Sequence, residues 1–109
     1  MQTTPNAEAA MPDDMLLASS VAIPQHVVYR SFPNETVVLN LQTGKYHGLN
    51  ATAGRMLEQI ERASCVAEAV SALGEIYDQP RAVLEHDVCA LCRSLLERGL
   101  IDVDDRAAG

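Results

Sequence analysis

Two hydrophobic periods divide the chain. Thr36-Val37-Val38-Leu39-Asn40-Leu41 alternates, with Val37, Leu39 and Leu41 on one face and Thr36, Val38 and Asn40 on the other, the pattern of a strand. Upstream, His26–Phe32 is rich in β-formers (Val27, Val28, Tyr29), and Pro33-Asn34 supplies a turn. Downstream, Gln42-Thr43-Gly44-Lys45 is a tight-turn sequence in which Gly44 can take a positive φ, and Lys45–Leu49 returns as a short third strand. These runs predict a three-stranded antiparallel meander.

From Asn50 the period becomes helical. Asn50 or Thr52 can cap a helix carrying Met56, Leu57 and Ile60, because a side-chain oxygen accepts the free N–H groups of a first turn. Ser64 is placed to cap a second, with Val66, Ala69, Val70, Leu73, Ile76 and Tyr77 on one stripe. Pro80 suits the first turn of a third, whose apolar positions are Val83, Leu84, Val88, Leu91, Leu95 and Leu96. Gly99 ends that helix, and Leu100-Ile101 pack back after it. The expected fold is α+β and winged-helix-like, a three-stranded antiparallel sheet followed by three helices.

Residues 1–20 lack a sustained period and are expected as a flexible tail, with 104–109 as a second and 21–103 as the folded domain. Met15–Ala18 is the hydrophobic patch of the first tail and could lie on an edge strand as an internal placeholder. It is too short for a signal peptide, residues 1–10 hold no base, and no apolar run approaches bilayer length. A cytoplasmic protein with reduced thiols is the expectation.

Charge narrows the choice of partner. Eight basic against fifteen acidic residues leave a net −7. Residues 25–60 carry +1, whereas 61–109 carry −5. Such a balance disfavours phosphate-rich partners, nucleic acid or anionic membrane. A winged-helix DNA-binding regulator is the alternative function, but Arg81, Arg93 and Arg98 of the third helix are offset by Glu85, Asp87 and Glu97.

Candidate chemistry is sparse. His86, Cys89 and Cys92 follow one another at i, i+3 spacing on one helix, a ladder that turns its side chains around the axis, with Cys65 as the obvious fourth ligand for zinc. A redox Cys-x-x-Cys belongs at a helix N-terminus, where the dipole lowers the thiol pKa, whereas this one lies mid-helix among Val88, Leu91 and Leu95. Buried packing is the expected role, with no metal and no cofactor. His26, His47 and His86 fall in no catalytic motif, and no glycine-rich phosphate loop is present, so no enzymatic activity is expected.

Thr43-Gly44-Lys45-Tyr46 turning into Leu49-Asn50-Ala51-Thr52, followed by the apolar stripe from Asp87 that ends in Glu97-Arg98-Gly99-Leu100-Ile101, resembles the PqqD-like family. The likeness spans roughly residues 21–103, and the Gly44–Thr52 form is most similar to the leader-binding proteins of lasso-peptide pathways. The resemblance implies a non-catalytic domain that captures the leader of a ribosomally made precursor peptide and delivers it to a modifying peptidase or other tailoring enzyme. An edge strand can take such a peptide as an added strand while pockets read alternate side chains. The expected site is the edge Lys45, Tyr46, His47, Gly48 and Leu49, facing a groove walled by Val83, Leu84, Asp87, Val88 and Leu91. Tyr46 could instead fill the core, His47 could be a plain surface residue and Asp87 a solvated one. The same edge could pair two copies into a homodimer.

Overall fold

The computed structural model describes residues 11–104. Its elements are α1 (Asp13–Ala18), β1 (Ser20–Ala22), β2 (Val27–Ser31), β3 (Glu35–Asn40), β4 (Lys45–Asn50), α2 (Ala51–Arg62), α3 (Val66–Ile76), α4 (Arg81–Glu97) and β5 (Asp102–Asp104). Strands β2, β3 and β4 form the expected antiparallel meander in that order, followed by the three expected helices.

Local chemistry accounts for the turns. Gly44 takes φ +74°, its N–H donates to the Asn40 carbonyl at 2.7 Å, and the Asn40 side chain accepts the N–H groups of Gln42 (2.9 Å) and Thr43 (3.3 Å). That Asx turn explains why Asn40 is buried although polar. At the start of α2 it is Asn50 that caps, accepting the Ala53 N–H at 2.8 Å. The N-cap of α3 is Cys65 rather than Ser64, whose N–H is instead taken by the Glu68 carboxylate at 3.0 Å. Helix α4 closes in a Schellman turn: Gly99 has φ +72°, and the N–H groups of Leu100 and Gly99 donate to the carbonyls of Leu95 and Leu96 at 2.9 and 3.0 Å.

The structure departs from expectation at the N-terminal end. Residues 11–20 are not a flexible tail. Helix α1 packs on α4 and α3, Leu16 is completely buried, and the Ser19 carbonyl accepts the Val66 N–H at 2.9 Å. Arg93 of α4 fastens this segment by donating to the Met11 carbonyl at 2.9 and 3.2 Å and pairing with the Asp13 carboxylate. Strand β1 then pairs antiparallel with β5, Val21 opposite Val103 and Ser20 opposite Asp104, bringing the two ends of the described chain together. Met15–Ala18 is therefore spent on the helical core and does not lie on β4 as a placeholder. Asp104, expected to open the second tail, is instead the last residue of β5, and residues 1–10 and 105–109, expected as tails, lie outside the described residues.

The core sits between the sheet and the helices. One sheet face contributes Val27, Val38 and Leu49; α2, α3 and α4 contribute Met56, Leu57, Ile60, Val66, Val70, Leu73, Leu84, Val88 and Leu95; Leu16 and Ile101 close it from the chain ends. The sheet's main helical partner is α2, whereas α4 packs on α3 and α1. Among the described residues no helix is long and apolar enough to cross a membrane.

Candidate functional site

Hydrogen-bond parity determines which backbone groups the sheet leaves free. On the β2–β3 side, the Leu41 N–H donates to the His26 carbonyl and the Phe32 N–H to the Glu35 carbonyl, both at 2.7 Å. In the same register Val28 faces Leu39 and Arg30 faces Val37. Hydrogen-bonded and non-bonded pairs alternate along an antiparallel ladder. Val37 and Leu39 therefore turn their amides toward β2, while Thr36, Val38 and Asn40 turn theirs toward β4, where their partners are Leu49, His47 and Lys45. The N–H and C=O groups of Tyr46 and Gly48 consequently point out of the sheet at the free edge of β4. The opposite edge, on β2, is partly closed, because the Val27 N–H already donates to Pro24 at 3.0 Å.

The same parity sorts side chains. Lys45, His47 and Leu49 share the core-facing side with Val38 and Thr36, and Leu49 is buried within it. Tyr46 and Gly48 share the outer side with Leu39 and Val37, and Tyr46 is 73% exposed, so it does not fill the core. On α4, Val83 and Asp87 are exposed and Leu91 is half-buried. Leu84 and Val88 are buried in the core beneath that face. The rim left on α4 is Val83, Asp87 and Leu91.

Two concavities flank the sheet. One, of about 370 Å³, lies on the outer face and is lined chiefly by Val28, Arg30, Phe32, Val37, Leu39 and Tyr46. The other, of about 330 Å³, is more polar and lies where Ser31 and Thr36 meet Arg55 and Glu58 of α2. Beside it, Ser31 donates to Glu58 at 2.7 Å and Tyr29 to Glu61, an arrangement that ties β2 to α2. Burial, reinforced by the Glu61 carboxylate, pushes the Tyr29 hydroxyl well above the usual tyrosine range. Neither concavity was marked by the sequence pattern. Alternation did place Val37 and Leu39 on one face, but not which face would be left uncovered.

The cysteines do not form a ligand set. His86 is exposed, whereas Cys89 and Cys92 are buried on another part of α4, and among the described residues no three His, Cys, Asp or Glu side chains converge. Burial pushes the Cys89 thiol up to about 11 and the Cys92 thiol to about 12, so both stay protonated near neutrality.

Residues 35–101 match the family model described as coenzyme PQQ synthesis protein D (PqqD). Among solved structures, TbiB1 in complex with the TbiA(beta) leader peptide is 32% identical, with 74% of this chain and 94% of that one covered and a TM-score of 0.68. Lasso peptide synthetase B1 complexed with the leader peptide shares the fold at 24% identity, with 76% and 98% covered and a TM-score of 0.68. Among curated proteins none matches.

Proposed function

This chain belongs to the PqqD family, and on that premise we propose that it binds the leader of a precursor peptide by accepting it as a fourth strand on β4. The observation that carries this reading is the outward aim of the Tyr46 and Gly48 amides. An extended peptide running antiparallel to β4 would complete both pairs and continue the meander without distortion. Peptide residues opposite Lys45, His47 and Leu49 would turn toward the helical side and the Val83–Asp87–Leu91 rim. Backbone pairing gives affinity with little sequence preference, so those pockets would set specificity. The leader complex of the 32% identical TbiB1 supports the same ligand class.

In this reading the chain performs no chemistry of its own. It holds the leader and hands the rest of the precursor to a modifying peptidase or other tailoring enzyme in the same compartment, the cytoplasm. The free edge could also pair with that of a second copy, and peptide would then compete with self-association. The DNA-binding alternative loses ground on α4. Arg81 is held by Glu85 at 2.9 Å and by Ser71, and Arg93 is turned onto α1, so neither guanidinium is presented to a phosphate backbone.

Selection from a displayed library of random short peptides tests the proposal. Binders to the wild-type chain are expected to lose affinity for folded Gly48→Pro, which lacks the edge N–H. Retention of full affinity by that variant, or binding of duplex DNA in preference to peptide, would reject the reading.

A further inference from the structure

Gly48 is a glycine that the fold itself does not require. Its φ is not positive, unlike those of Gly44 and Gly99. A Cβ built on it would meet a single atom, the Glu35 Oε1 at 3.8 Å, which is ordinary contact with the end of a flexible side chain. Glycine in a strand interior carries an entropic penalty and offers nothing to pack, so it marks places where another group must approach closely. Here it lies on the free edge, on the outer face, with its backbone groups turned outward.

Its surroundings are not neutral. Opposite Gly48 on β3 is Val37, half-buried on the outer face. Two residues back along β4, Tyr46 stands on the same face and is largely exposed. On the other side is Glu35, whose carboxylate reaches over the glycine and has no side-chain partner among the described residues. The seat thus has an apolar floor, an aromatic wall and, on the Glu35 side, an acidic end, while Arg30 lies beyond Val37 on β2 and leaves the Glu35 side as the one that favours a cation.

Resting on the reading of β4 as the peptide-accepting edge, we propose that this seat is a specificity subsite for a lysine or arginine of the bound peptide. A peptide residue directly opposite Gly48 would point its side chain to the outer face, since paired residues in an antiparallel ladder share a side. A long side chain there crosses the bare glycine onto Val37. Its aliphatic stem covers Val37 and the edge of the Tyr46 ring, and its charged head group reaches the Glu35 carboxylate. An acidic side chain would meet Glu35 with like charge. A small one would leave the seat empty.

The test uses the peptides selected from the random library on the full chain. Among binders that fail on Gly48→Pro, one position should be enriched in lysine or arginine. A synthetic binder with that residue changed to Ala should bind the wild-type chain about five-fold more weakly. On Glu35→Gln the same change should matter much less, because the partner charge is gone. Gly48→Leu should fold like the parent and discriminate against the basic peptide by filling its seat. Absence of a basic preference among Gly48→Pro-sensitive binders, or an undiminished effect of the Ala change on Glu35→Gln, would overturn the subsite while leaving the edge reading standing. Binders indifferent to Gly48→Pro, or no binders at all, would overturn both.

Discussion

Gly54 of α2 lies so close to Thr36 of β3 that a Cβ at position 54 would overlap the Thr36 hydroxyl and stand 2.8 Å from its Cβ. Thr36 is buried, and its Oγ1 donates to Ser31 at 3.2 Å, so it cannot simply swing away. The close approach lets α2 lie tightly against the sheet face that it covers. Gly54→Ala should therefore destabilise the fold by about 1–3 kcal/mol through overpacking. Thermal melts would check it, and Thr36→Ala in the Gly54→Ala background should recover part of the loss.

Helix α1 belongs to the folded unit. Leu16 is fully buried between α1 and its neighbours, and Leu16→Ala should cost about 2–5 kcal/mol, as buried leucines do. Removal of residues 1–19 should lower the melting temperature markedly, and Arg93→Ala should do so more mildly by releasing Met11 and Asp13. Since α1 packs chiefly on α4 and α3, Arg93→Ala should leave peptide affinity at β4 unchanged.

Thiol reactivity separates the three cysteines. Cys65 is half-exposed and should alkylate in the native protein, whereas Cys89 and Cys92 should react only on unfolding, which mass spectrometry of the native and denatured protein would resolve. Raised folded-state values mean that the native protein holds these protons longer than the unfolded chain. Their contribution to stability is then complete below about pH 9 and declines as pH rises toward 11 and 12. Replacing both by Val should flatten that part of the alkaline stability profile.

The meander and the three long helices were legible because each repeats its period over several residues and is bounded by a turn or cap residue, as at Gly44, Asn50 and Gly99. Helix α1 was not. It is six residues long with one buried residue, Leu16, and no side-chain cap, so its existence depends on α4 and Arg93, about eighty residues away. The β1–β5 pair is as distant and only three residues per strand. At the site, the edge strand could be placed from its turn and length. The burial of Leu84 and Val88, and the separate faces of Tyr46 and His47, depend on how α4 and α2 pack, which helical spacing alone leaves open.

Amide hydrogen exchange of the wild-type chain, with and without a selected peptide, tests peptide capture at β4 most directly. Protection should appear at the Tyr46 and Gly48 N–H groups, with little change at His47, whose N–H already faces β3. Smaller changes should follow along Val83–Leu91. Protection concentrated on β2 or within residues 51–78, with Tyr46 and Gly48 still exchanging freely, would contradict it.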